Sequence, residues 1–235
     1  MSLPAWRALP VPDGIEAVYA DDALLVLNKP PGLLSVPGRG PENADCLSAR
    51  AQAVYPDALI VHRLDMGTSG LLAMARGLEA QRTLSRHFAE RRVHKRYIAL
   101  VAGRPAADGL PDDAWRSIDG PLIVDWPNRP RSKIDPVLGK PSHTLWRLAE
   151  WPAPSPTGAP WPVECTRLEL EPVTGRSHQL RVHLQALGHP ILGDELYAPP
   201  AVVAASPRLL LHATTLTLPH PVHGAELTFH SPPTF

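Results

Sequence analysis

The sequence predicts an α+β fold. Apolar runs of strand length alternate with segments of helical period, but not in the regular rhythm that builds a parallel α/β sheet. Glu164 to Pro172 (ECTRLELEP) sets Leu168 and Leu170 against Arg167, Glu169 and Glu171, the two-residue period of a strand with one wet face, which argues for antiparallel pairing. Proline, at 29 residues, is concentrated between Pro105 and Pro162 and around Pro199 to Pro207, which marks long stretches as semi-rigid loop.

In chain order, Ala23 to Asn28 (ALLVLN) is a strand stopped by the turn formers Lys29-Pro30-Pro31-Gly32. Val61 to Gly70 (VHRLDMGTSG) is rich in turn residues, and on local composition Asp65 is a turn aspartate, with Thr68, Ser69 and Gly70 shaping the turn. Gly70 to Arg76 (GLLAMAR) follows as a buried strand. Leu78 to Arg92 is helical, with Leu84 and Phe88 on one face and Arg82 and Arg86 on another. Arg96 to Gly103 (RYIALVAG) returns to strand, and Trp151 to Trp161 (WPAPSPTGAPW) is a loop. Ser177 to Leu187 is helical: Leu180, His183, Leu184 and Leu187 share the buried face, His178, Arg181 and Gln185 lie opposite, and Gly188 stops the helix. That arrangement presents the Arg181 cation away from the core. Leu180 and Leu211 are core residues.

Composition sets the class. A chain of 235 residues, 44% hydrophobic and 20% charged, lies in the soluble globular range, and we expect one domain over 1–235. No apolar run reaches the roughly 18 residues of a membrane helix, and MSLPAWRALPVPDG lacks the pattern of a signal peptide, so a cytoplasmic protein is expected. Cys46 and Cys165 form no pair of metal-ligand spacing and read as structural thiols; no HExxH pattern is present, and no metal is expected. With 23 basic against 23 acidic residues, only local clusters hint at an anionic partner: Arg82 to Arg96, Arg129 to Lys140, and Arg176 with Arg181.

Four segments in order, LVLNKPPGLLSVPG (25–38), HRLDMGTSG (62–70), KRYIALVAG (95–103) and GRSHQLRVH (175–183), resemble the RluA family of pseudouridine synthases. The resemblance extends through GHPILGDELYA (188–198) and RLLLHA (208–213) and starts without the extra N-terminal RNA-binding domain of many relatives. It implies a mixed, largely antiparallel, bisected sheet with flanking helices around a central RNA-binding cleft. It implies that uridines in structured RNA, in an rRNA hairpin, a tRNA anticodon stem-loop or both, are isomerised; that reaction involves no redox change or group transfer, so no cofactor is expected, and no obligatory protein partner is predicted.

By the same resemblance Asp65 is the catalytic aspartate, Arg181 its cationic partner and Tyr97 the active-site tyrosine, whose ring stacks on uracil and whose hydroxyl assists removal of the C5 proton. Arg63 fills the space left by a flipped base. The chemistry suits these types: a carboxylate can attack or stabilise C1′, and burial disfavours an ionised carboxylate unless a cation faces it. His62 either contacts phosphate or braces the loop. Lys29, Arg129, Arg131 and Lys133 are candidate phosphate contacts, against the alternative of solvated loop residues. Two other classes compete: an RNA-binding or folding factor with a vestigial pocket, and an Asp-based hydrolase, which would normally need a second carboxylate near the motif.

Overall fold

A computed structural model describes residues 13–106, 109–149 and 161–235. The chain runs β1 (Ala17–Ala20), β2 (Leu24–Lys29), α1 (Leu47–Val54), β3 (Ala58–Ile60), β4 (Ser69–Arg76), α2 (Leu78–Ala89), β5 (His94–Ala102), β6 (Arg116–Asp119), β7 (Leu122–Val124), β8 (Ser132–Ile134), β9 (His143–Leu148), β10 (Cys165–Pro172), α3 (Gln179–Ala186), α4 (Pro200–Ala204), β11 (Leu211–Pro219) and β12 (Glu226–His230). Much strand, few helices and mixed pairing make an α+β fold, as expected. Two compact units divide it. One holds the described residues through Lys95 together with His212–Pro232; the other holds those of Arg96–Leu211 with Pro233–Phe235.

In the first unit β4 is central. Its residues 70–75 pair antiparallel with β2 along one edge, from Lys29 opposite Gly70 to Leu24 opposite Ala75. Its other edge changes partner: Ser69 and Gly70 pair in parallel with His212 and Ala213 of β11, whereas Met74 to Arg76 pair antiparallel with β3. Between them the Ala73 N–H, which would otherwise lack a strand partner on that edge, donates to His62 Nε2 at 2.9 Å. Leu24, Val26, Leu71, Ala73 and Ala75 form one apolar face, covered by Ala80 and Leu84 of α2. Here α2 ends at Ala89, three residues before the expected stop, because Arg91 takes a left-handed backbone with φ 58°.

Gly70 is where the parallel pair demands glycine. Its φ is 106°, and a Cβ there would lie 2.3 Å from the carbonyl oxygen of Ala213. Ser69 Oγ sits 2.8 Å from His212 Nδ1, and His212 Nε2 lies 3.0 Å from Ser231 O, so β4 is tied side chain to side chain to β11 and beyond.

In the second unit β10 is central, antiparallel to β5 on one side and β9 on the other, with β6 outside β9. Leu168 and Leu170 are buried and Glu169 and Glu171 lie on the wetter face, so the alternation was a faithful signal. Glu169 takes ion pairs there from Arg96 and Arg147. β7 and β8 form a separate two-stranded ribbon. Leu180 and Leu211 are core residues, and both cysteines are free and buried. The loop expected at Trp151 to Trp161 lies outside the described residues except for Trp161, as do residues 1–12.

Candidate active site

The Asp65 loop is a turn held at several points. Gly32 N–H donates to Met66 O at 2.9 Å, Thr68 N–H donates to Asp65 O at 3.1 Å, and Ser35 Oγ donates to Leu64 O at 2.7 Å while accepting the Leu64 N–H at 3.1 Å. The backbone is therefore held immediately before and after Asp65, a half-buried residue two positions after the exposed Arg63. Thr68 and Ser69 are buried, Gly70 supplies the close approach to β11, and all three shape the turn. A functional carboxylate benefits from such fixing, because the ordering cost is met during folding and not during reaction.

Lys29 corrects the sequence reading. As a phosphate contact it would need solvent access, but it is 1% exposed, and its Nζ donates to Pro30 O at 2.9 Å, Leu33 O at 2.8 Å and Met66 O at 3.0 Å. Three N–H donors meet three carbonyls, which is the capacity of an ammonium. Burial pulls its pKa down to about 7, and the negative charge of Asp65 pulls it back up. Lys29 is thus an internal clamp that grips the residue after Asp65 and sets a positive charge near it.

His62 takes the bracing role of its two alternatives. Its Nε2 accepts from Ala73, its ring stacks on Phe88 with centroids 4.6 Å apart, and burial, then the charge of Lys95, push its pKa down to about 3. A neutral ring that accepts at Nε2 carries its proton on Nδ1.

The second unit carries Arg181 and Tyr97. The helix α3 starts at Gln179, two residues later than expected, after His178 in a left-handed conformation with φ 56°. Six of its eight residues are buried, Arg181 among them at 8% exposure, so this cation does not face solvent as the amphipathic pattern suggested. The guanidinium forks onto Asp194: Nε donates to Oδ2 at 2.8 Å and an Nη to Oδ1 at 2.6 Å. Asp194, 1% exposed, also accepts the backbone N–H groups of Leu196 and Tyr197. The planar fork holds the arginine in one orientation, as a lysine would not.

Tyr197 lies under Arg181, with the guanidinium carbon 5.1 Å from the ring centre, and its hydroxyl accepts from Ser132 N–H at 2.8 Å and lies 2.7 Å from His178 Nδ1. Asp194 and Tyr197 carry roles that sequence reasoning missed. Their segment, GDELY, was visible, but no periodicity connects an acid to an arginine 13 positions earlier. Tyr97 lies in β5 opposite Leu170, 7% exposed.

Arg129, Arg131 and Lys133 are exposed on the β7–β8 ribbon. Arg131 is pinned by a bond to Leu196 O, Arg129 stacks over Trp126 with its guanidinium carbon 4.0 Å from the ring centre, and Lys133 lies 3.9 Å from Asp125. Among the described residues, no cluster of His, Cys, Asp and Glu could hold a metal ion, and no helix is long and apolar enough to cross a membrane.

A strand and loop that fix one aspartate, and a helix that fixes one arginine, sit inside a sequence match to a known family. The model of the RNA pseudouridylate synthase family covers residues 23–186, and the chain belongs to that family, a class of RNA-modifying isomerases. Among curated relatives, the dual-specificity RNA pseudouridine synthase RluA of Escherichia coli (strain K12) is 49% identical over 219 residues, 93% of each chain. The protein of the same name from Pasteurella multocida (strain Pm70) is 47% identical over 221 residues, 94% of each. Of solved structures, human RNA pseudouridylate synthase domain containing 1 matches with a TM-score of 0.72 and 29% identity, covering 94% of this chain and 84% of that one. Human RNA pseudouridylate synthase domain containing 4, at 22% identity and a TM-score of 0.66, shares the fold.

Proposed function

We propose that this protein isomerises particular uridines to pseudouridine in stem-loops of both ribosomal and transfer RNA, with Asp65 as the catalytic carboxylate. The observation that carries this reading is the identity of 49% over 93% of the chain to a synthase named for dual specificity. The reading places the protein in the cytoplasm with those RNAs. The family match runs through both compact units, which supports treating them as one catalytic domain.

The reaction breaks the bond between C1′ and uracil N1, turns the base, and joins C5 to C1′; the C5 proton leaves and N1 gains one. The product is an isomer, so the balance requires no oxidant and no second substrate. Asp65 attacks C1′ or stabilises positive charge there, from a loop fixed by Lys29, Gly32 and Ser35. Arg181 serves as the cation of the same reaction and Tyr97 as a stacking surface for uracil, and Arg63 takes the place of the extruded base. Arg129, Arg131 and Lys133 meet phosphates, where the ribbon leaves them exposed.

The test is to incubate wild type and Asp65→Asn with total RNA from cells lacking the enzyme, and to map pseudouridines as carbodiimide-dependent reverse-transcription stops. New stops in one rRNA loop and one tRNA loop, made by wild type alone, are expected. Turnover by Asp65→Asn would remove Asp65 from the chemistry; stops in only one RNA class would remove the dual range. RNA binding without any product would make the protein a binding factor.

A further inference from the structure

The turn between β7 and β8 holds an aromatic ring out into water. Trp126 is 64% exposed, although burying an indole is among the larger hydrophobic gains open to a side chain. The turn is closed by its own backbone: Asp125 N–H donates to Arg131 O at 2.9 Å, Asn128 N–H to Asp125 O at 2.9 Å and Arg131 N–H to Asn128 O at 3.0 Å. Asn128 Nδ2 donates to Asp125 Oδ2 at 2.9 Å, and Pro127 and Pro130 fix two of its φ angles. Its base is anchored: Leu122 and Ile134 pack with Val182 of α3 and with Tyr197, and Lys140 bridges to Leu122.

The indole is therefore presented by a preformed frame, with the Arg129 guanidinium lying over its ring. From Leu122 to Lys140 the chain carries Arg129, Arg131, Lys133 and Lys140 against Asp125 and Asp135, an excess of positive charge around an exposed aromatic. An aromatic ring backed by a guanidinium and ringed by cations is the arrangement that takes a nucleotide: the base stacks on the ring and the phosphates meet the cations.

We propose that Trp126 is a stacking platform for an unpaired nucleotide of the RNA substrate, apart from the uridine being isomerised. The proposal rests on the reading of the protein as an RNA pseudouridine synthase. It assigns Trp126 to base contact and Arg129, Arg131 and Lys133 to the adjoining phosphates, so the two kinds of contact should separate on substitution.

The experiment uses the full chain and the anticodon stem-loop of a transfer RNA that wild type modifies. Affinity is measured for wild type, Trp126→Phe and Trp126→Ala over a range of salt, on intact RNA and on RNAs made abasic at one loop position at a time. Trp126→Ala should bind about 5- to 150-fold more weakly, equivalent to ~1–3 kcal/mol, with an unchanged salt slope, and Trp126→Phe should retain most of the affinity. One abasic position should abolish the difference between wild type and Trp126→Ala. Equal affinities for wild type and Trp126→Ala on intact RNA, or a defect that persists at every abasic position, would overturn the platform and leave the ring to a protein partner. If wild type forms no pseudouridine in any RNA, the functional reading fails first, and the platform with it.

Discussion

Lys29 shows how far the role of one residue is set by its surroundings. A lysine in an NKPPG turn has the sequence context of a solvated cation; folding surrounds it with three carbonyl oxygens and a carboxylate loop. Replacing it by Met removes the charge but strands buried acceptors, at about 1–3 kcal/mol for each left unsatisfied. Lys29→Met should therefore lower the urea midpoint at pH 7 and reduce kcat through misplacement of Met66 and Asp65, with little change in RNA affinity. The sign of its pH effect follows from its depressed pKa. The folded state resists protonation between the ordinary lysine value of 10.5 and about 7, so this group costs stability as pH falls through that window. Lys29→Met should flatten the slope there, and a slope equal to wild type would show that the ammonium is not desolvated.

At the scale of elements, β4 and α3 make opposite points about legibility. The strands from Leu24 to Lys29 and from Ser69 to Arg76 were readable because a buried strand leaves a run of apolar residues between turn formers. Gly70 extends that reading: Gly70→Ala must place a Cβ against Ala213 backbone from a left-handed φ, and should cost at least about 2 kcal/mol in urea unfolding. A midpoint equal to wild type would mean that β4 and β11 do not approach so closely. The helix α3 was found, but its polar face was misjudged, because amphipathic logic sends an arginine to water unless a partner is known. Asp194 is that partner, supplied by a loop after the helix, and Asp194→Leu should destabilise by about 3–5 kcal/mol by leaving a buried guanidinium unpaired. Similarly, the carbonyls that hold Lys29 are backbone atoms, common to every residue type, and leave no trace in the sequence. The site residues are visible in the motifs, whereas the contacts that support them exist only in the folded chain.

Over the whole molecule, several histidines resist protonation in the folded state. His62 is pushed down to about 3 by burial and Lys95, and burial first lowers His87 and His183 as well. A base with a depressed pKa leaves the unfolded chain holding more protons, so stability should fall as pH drops below 6.5 and continue falling toward about 3. Urea midpoints at pH 7 and pH 5 check this: a lower midpoint at pH 5 is expected, and His62→Gln, which can still accept from Ala73, should narrow the gap. The edge of β4 has a consequence in time as well as in space. Ser69 and Gly70 find their parallel partners in His212 and Ala213, and the whole of Arg96–Leu211 is synthesised between the two halves of that unit. On the ribosome the Asp65 loop and the Lys29, Gly32 and Ser35 contacts that hold it are made early, but the parallel edge of β4 waits for β11, so a nascent chain carries the motif before the strand that follows it has all its partners.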